Sequence, residues 1–300
     1  MAISVSGRTP PILLGIIEVS LGGEFKKSMK YESDYEVLQS DNDLSRRQEY
    51  WQLAKGLQKA DGLETSEYLE EVITSTLTGD YNLKDAQAAL ENHYEGVLYG
   101  EVNADKKEAD IVSSRIVELL EVESFTFSPV SLRTIHEQLF RDIFPYDWVG
   151  RWRKVNIRKR QEVLGGSSVL YAHFEDIEPN LNYEFDREKE SSYSLPLDNQ
   201  QVSRLIRFTA DLWQIHPFRD GNTRTVSTFL IKYLRSMGIE VQSEAFANGD
   251  WFRNALVRYH YSDLSKGIDV DKQALVLFFE NVLLDAGHDL LSYNLYPGKR

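Results

Sequence analysis

From Leu44 onward, apolar residues recur at three- and four-residue intervals, with polar residues filling the opposite faces. The spacing predicts helices over Arg46 to Lys59, Ser66 to Leu77 and Leu83 to Tyr99, with Asp61-Gly62 and Gly79-Asp80 as the stops between them. It continues through Ile111 to Leu120 and Ser128 to Phe140, the latter opening on Ser128-Pro129 as cap and first-turn residue. The pattern changes from Gln161 to Tyr171. Two short β-prone runs flank Gly165-Gly166-Ser167-Ser168 there, which predicts a hairpin. Residues 178–196, polar and carrying Pro179 and Pro196, predict a loop. Asp198 then caps a long helix with Val202, Leu205, Ile206, Leu212 and Trp213 on a shared face. It stops near Ile215, because the residue before Pro217 is biased out of the α region. A second strong helix begins after Gly221, carries Val226, Phe229, Leu230, Tyr233, Leu234 and Met237, and ends at Gly238. Two more follow, over about 250–259 and 271–284. Residues 1–43 read as an irregular or strand-bearing arm. The expected fold is mainly α with one β-hairpin. It divides into an N-terminal arm and helical region over 1–100 and a core domain over 101–300.

Composition narrows the chemistry. Among 300 residues, 47 Asp and Glu outnumber 34 Lys and Arg, a formal net charge of −13. That balance argues against a protein that coats nucleic acid or an anionic membrane by bulk electrostatics. The absence of cysteine removes disulfides, thiolate nucleophiles, zinc–thiolate sites and iron–sulfur clusters together. Six scattered histidines show no metal-binding spacing. The apolar run Ile12 to Ile17 is far shorter than the ~20 residues that span a bilayer, and no basic segment precedes it. A soluble, cytoplasmic protein is expected, with its oligomeric state, including a homo-oligomer, left open.

The chemistry concentrates in Ile215-His216-Pro217-Phe218-Arg219-Asp220-Gly221-Asn222-Thr223-Arg224-Thr225, a short loop between the two strong helices. Gly221, Asn222 and Thr223 fall at a helix N-terminus, where unpaired N–H groups and the positive end of the dipole cradle phosphate. Arg224 adds a planar bidentate donor. Asp220 offers a hard carboxylate of the kind that shares Mg²⁺ with nucleotide phosphates and water. His216 alone in this loop can take a proton near neutral pH. Base, metal carboxylate, anion nest and arginine within nine residues suit phosphoryl or nucleotidyl transfer.

The string resembles the signature of the Fic family, His-Pro-Phe-x-Asp/Glu-Gly-Asn-Gly/Lys-Arg, departing from it only at Thr223. Gly150-Arg151-Trp152-Arg153 with Val155-Asn156-Ile157 resembles the family segment that leads into its flap, and residues 161–172 resemble the flap itself. The resemblance implies a helical Fic-domain fold with a β-hairpin flap and transfer of AMP from ATP to a hydroxyl of a target protein docked on that flap. Position by position, it makes His216 the base and Asp220 the Mg²⁺ ligand. Gly221, Asn222 and Thr223 become the nest and Arg224 the phosphate grip. Thr223 should be tolerated if its side chain stays outside the turn. Transfer of another nucleotide or phosphate-bearing group remains an alternative, as does a catalytically silent nucleotide-binding module.

Three features qualify the resemblance. Many family members carry a second arginine three residues after the first, where this chain has Ser227. That arginine binds the γ-phosphate or pairs with an inhibitory glutamate from a Ser/Thr-x-x-x-Glu-Gly/Asn helix. No strict match to the inhibitory pattern exists here, so inhibition of that form is either absent or rewired, through Asp61, in Leu57-Gln58-Lys59-Ala60-Asp61-Gly62, or Glu280, before Asn281. The cluster Arg151, Arg153, Lys154, Arg158, Lys159 and Arg160 reads either as a basic rim that steers an anion or as a solvated edge. Trp251-Phe252-Arg253-Asn254 reads either as an adenine wall or as core packing. His136 and His260 read as packed or surface residues.

Overall fold

The amphipathic segments form ten α-helices in a computed structural model that describes residues 41–95 and 103–297. They are α1 (Asp41–Lys59), α2 (Glu67–Thr78), α3 (Leu83–Glu95), α4 (Ala104–Glu121), α5 (Pro129–Phe140), α6 (Ile177–Lys189), α7 (Asn199–Ile215), α8 (Asn222–Ser236), α9 (Gly249–His260) and α10 (Gln273–Leu284). The arm read over 1–43 lies, up to residue 40, outside the described residues, as does the stretch past Glu95. No β-strand occurs among the described residues, and an isolated bridge joins Asp263 to Ile268. None of these helices is long and apolar enough to cross a membrane.

The caps form as the sequence implies. Ser128 Oγ accepts the Ser131 N–H at 3.1 Å with Pro129 in the first turn. Asp198 and Gln201 exchange side-chain-to-backbone bonds as a capping box.

α8 is the centre of the molecule. Every residue from Asn222 to Leu234 is buried, because α4, α5, α7 and α1 pack around it. A helix enclosed on all sides holds its N-terminus, and therefore the motif, in a fixed place. α1 packs along α4 and against the turn at Ser243–Asn248 that leads into α9. The approach to α9 is close enough to require glycine on both sides. A Cβ on Gly56 would sit 2.1 Å from the Phe246 carbonyl oxygen, and one on Gly249 would sit 2.2 Å from that of Gly56. One buried apolar cluster runs from Tyr50 through Phe140, Trp213, Phe229 and Phe278 to Leu295.

Two expectations are corrected. Residues 177–189 are a helix, not a loop. Pro179 stands in the first turn, where its missing N–H costs nothing, and Ile177, Leu181 and Phe185 form a buried stripe at four-residue spacing. Residues 161–172 do not pair as a β-hairpin. The Gln161 N–H donates to Ser167 O at 2.8 Å, and Gly166 N–H returns to Gln161 O at 2.9 Å. These bonds close a compact turn around a 3₁₀ segment at Glu162–Leu164. Val163, Leu164 and Val169 are buried and pin it. Side chains then take the carbonyls that a ladder would need: Gln214 donates to Leu170 O at 3.2 Å and Arg153 to Ala172 O.

Candidate active site

α7 ends on His216, whose left-handed backbone (φ 50°, ψ 59°) turns the chain sharply into the loop. Its Nδ1 lies 3.1 Å from the Trp213 carbonyl. A carbonyl only accepts, so Nδ1 carries the hydrogen and Nε2 keeps the lone pair. Tyr171 stacks on the imidazole at 3.9 Å with 17° between the planes, and Trp213 meets its edge. Burial in this aromatic setting lowers the His216 pKa to about 3, so the ring stays neutral and able to accept a proton throughout the physiological range.

The loop after His216 is held by its own residues. Asn222 accepts the Phe218 N–H at 2.9 Å through Oδ1 and donates to Phe218 O at 3.0 Å through Nδ2, clipping the turn shut. Gly221 has φ 70°, and a Cβ there would lie 2.4 Å from the Phe140 ring, so no other residue fits without displacing α5. The first intrahelical bond of α8 runs from Thr225 N–H to Gly221 O at 3.0 Å. The N–H groups of Asn222, Thr223 and Arg224 therefore have no partner within the helix. Asp220 is exposed, and its Oδ1 accepts the Gly221 N–H at 2.7 Å.

Two residues from outside the motif fix this loop. His136 on α5 stacks on Phe218 at 3.8 Å. Its Nδ1 accepts the Gly150 N–H at 3.0 Å, which leaves Nε2–H to donate to Asp220 O at 3.1 Å. Burial lowers its pKa to about 3, so this pattern of donors does not change at neutral pH. Arg153 is buried, and its guanidinium donates to the carbonyls of His216 (2.8 Å), Ile215 (3.3 Å), Val155 (2.7 Å) and Ala172, while its N–H donates to Pro217 O at 2.8 Å.

A cavity of about 250 Å³ opens over the loop. His216, Asp220, Asn222 and Thr223 line it together with Tyr171, Trp213, Ile157, Arg158, Lys159, Arg219, Arg253 and Asp61.

Arg224 stands behind that wall, fully buried. Its Nη1 donates to Gln58 Oε1 at 3.0 Å and its Nη2 to Glu108 Oε1 at 2.7 Å. Its Nε lies 2.9 Å from Asp61 Oδ2, and its guanidinium covers the Phe140 ring at 4.8 Å. Burial pushes the Asp61 carboxyl up, but Arg224, then Lys159 and Arg253, together bring it below the ordinary value. Glu108 goes the other way, since its burial outweighs the same arginine.

Residues 126–234 match the family model described as the Fic/DOC family. That span contains the whole His216-to-Arg224 loop, all of α7 and all but the last two residues of α8. This segment is a Fic-family domain. The protein adenylyltransferase VbhT of Bartonella schoenbuchensis is 28% identical over 142 residues, 46% of this chain and 27% of that protein. The probable protein adenylyltransferase Fic of Escherichia coli is 27% identical over 157 residues, 52% of this chain and 70% of that protein. The match to VbhT thus spans about a quarter of that relative's length. Among solved structures, BepC of Bartonella tribocorum with bound AMPPNP aligns with a TM-score of 0.45 at 17% identity, covering 64% of this chain and 97% of that one. A Fic-domain signalling protein from Bacteroides thetaiotaomicron aligns with a TM-score of 0.44 at 15% identity, covering 80% and 90%.

Several Fic-motif residues sit differently from what their positions imply. The Asn222 side chain locks the loop, so only its N–H can face an anion. Thr223 is not outside the turn: it is buried, and its Oγ1 accepts the Trp213 indole N–H at 3.0 Å. This bond ties the end of α7 to the start of α8. Nη1 and Nη2 of Arg224 donate to Gln58 and Glu108, and its Nε pairs in charge with Asp61 without a hydrogen bond. Asp61, one of the two brake positions, thus meets the motif arginine, whereas Glu280 pairs with His288 at 2.7 Å and lines no part of the cavity. Ser227 is buried with an unpartnered Oγ. Trp251 and Phe252 pack against Phe278 in the core, and Arg253 is the residue of that string that lines the cavity.

Tyr171, Arg153 and His136 were not singled out from the sequence as site residues. The one available signal was Tyr171's place at the end of the turn. Because Tyr171 shields the imidazole, Tyr171→Ala should raise the His216 pKa toward the ordinary ~6.5. A raised pKa protonates the base at higher pH, so the acid limb of any His216-dependent rate moves upward in pH. Tyr171→Phe keeps the stacked ring and should keep the limb in place. A pH–rate profile, or NMR titration of His216, reads both, and an unmoved limb in Tyr171→Ala would show that the stack does not set the pKa.

Proposed function

We infer that the chain is a protein adenylyltransferase, moving AMP from Mg·ATP to a hydroxyl side chain of a target protein. The observation that supports this best is the His216 tautomer. A neutral imidazole with Nδ1–H committed to Trp213 O keeps its lone pair on Nε2, and His216 lines the cavity together with Asn222 and Thr223 of α8. In this reading Nε2 takes the proton of the incoming hydroxyl as its oxygen attacks the α-phosphorus, and pyrophosphate leaves in line. The N–H groups of Asn222 and Thr223 and the positive end of α8 stabilise charge on the transferred phosphoryl oxygens. Phosphates in the cavity also raise the basicity of His216, since negative charge favours the imidazolium.

Mg²⁺ fits Asp220. The carboxylate is exposed at the cavity, uses one oxygen on Gly221, and stands without a cluster of other ligands among the described residues. Mg²⁺ bound by one carboxylate with phosphates and water matches that setting, and when bound it would neutralise phosphate charge. Docking of the target along residues 168–172 belongs to the same reading. Leu170 is exposed there beside a cavity of about 480 Å³ lined by residues 156–158 and 168–173.

The deciding experiment incubates the protein with Mg²⁺, cell lysate and ATP labelled at the α- or the γ-phosphate, beside a His216→Ala control. α-Label in a protein band, lost in the control, is the expected result. γ-Label would indicate phosphate transfer, and no label would indicate a binding module. Asp61 serves as a brake in this reading, because it holds Arg224 away from a phosphate. Asp61→Asn should increase the α-label by roughly tenfold, the scale of one close, partly buried ion pair. Unchanged labelling would exclude a brake at this residue.

A further inference from the structure

The cavity holds more positive charge than the motif supplies. Arg158 and Lys159 enter it from the segment before the turn, Arg219 from the loop and Arg253 from α9, against Asp61 and Asp220. On a chain of net charge −13 this concentration is local, and such a concentration raises the local population of anions. Its focus is Asp61. One carboxylate oxygen lies 2.9 Å from Arg224 Nε on α8, and the other lies 3.3 Å from Lys159 Nζ. The charge of Arg253 also acts on the same carboxylate. Arg253 is held at the cavity by donating to Gln161 Oε1. Three cations from three separate elements therefore converge on one small anion in a cavity wall. That is the construction of an anion seat, filled here by the protein's own carboxylate. Ser227, farther along α8, brings no charge to it.

We propose that Lys159 and Arg253 form the subsite for the outer phosphates of a nucleoside triphosphate, in the place the Asp61 carboxylate occupies. This rests on the nucleotide-transfer reading above and adds to it how the site tells a triphosphate from a monophosphate. The α-phosphate meets the backbone of α8 and needs neither side chain. The β- and γ-phosphates reach the cations once Asp61 withdraws. Arg253 also gives α9 a direct hold on the ligand.

The test titrates AMP, a non-hydrolysable ATP analogue and inorganic tripolyphosphate into the full chain by calorimetry. The proteins are wild type, Lys159→Gln, Arg253→Gln and Lys159→Arg. Each Gln variant is expected to lose about tenfold in affinity for the ATP analogue and tripolyphosphate, the scale of one charge-assisted contact. AMP binding stays within about twofold, and Lys159→Arg retains the preference. An unchanged triphosphate-to-AMP ratio, or equal loss for AMP and triphosphate, overturns the subsite even if nucleotide transfer is intact. Tripolyphosphate binding that falls in both Gln variants, with no adenine nucleotide bound by wild type, supports the subsite and overturns the AMP reading instead. Wild type that binds none of the three overturns both.

Discussion

Replacing His216 with Ala or Asn should lower AMP transfer about a thousandfold while nucleotide affinity changes little, within the 10²–10⁴ range typical of a positioned general base. The neutral ring supplies the lone pair that accepts the proton, and bound phosphates raise its basicity in the complex. Asp220 is the carboxylate assigned to Mg²⁺ in this reading, and Tyr171 is pushed up to about 12 by burial and remains protonated. Asn is the more informative variant. It adopts the left-handed conformation that position 216 requires, so the loop keeps its turn after the imidazole is gone. Transfer measured with α-labelled ATP, together with calorimetric nucleotide binding, separates the two effects. Transfer within tenfold of wild type in His216→Asn would remove the base from the mechanism.

Arg224→Ala should be the most destabilising change in the motif, at about 3–5 kcal/mol, because it leaves Asp61 and Glu108 partly buried without their shared cation. The melting temperature should fall by roughly 10 °C, and the loss should depend on pH. In the wild type the Asp61 carboxyl lies below its unfolded value, so its contribution is present above about pH 4 and fades on acidification. Without the arginine, Glu108 is raised further and Asp61 loses the largest of the charges that lower it, so the folded pKa values of both acids rise. Relative to the wild type, each rise removes stability as pH climbs through those values, so the variant should approach the wild type near pH 4.5 and fall furthest behind at pH 7.5. Thermal melts at the two pH values check this. An equal deficit at both would mean that the loss is one of packing against Phe140.

The helices were legible because their cues are local: Ser128-Pro129, Asp198 with Gln201, and the four-residue stripes of α7 and α8 carry their own start, face and stop. The motif was legible for the same reason, being one contiguous loop. α6 was missed because Pro179 and a polar surface outweighed a three-residue stripe that shows its value only against the core. The flap was read from glycines and β-prone residues, but its carbonyls are claimed by Arg153 and Gln214, contacts between residues far apart in sequence. Arg153 shows the limit most clearly. Within a run of basic residues it looked like part of a solvated edge, yet it is buried and its guanidinium is shared among four carbonyls. Position 61 could be named as a candidate, but that Arg224 would turn inward to it, to Gln58 and to Glu108 depends on how α1 and α4 lie beside α8.

If the chain is the transferase proposed above, Arg153 also joins two surfaces that it must keep in step. Its planar head grips the backbone of the loop that carries the imidazole and the backbone at the edge where a substrate chain would lie. Shifting that edge would pull on the loop through a rigid planar fork, coupling alignment of an incoming hydroxyl to the aim of the proton acceptor.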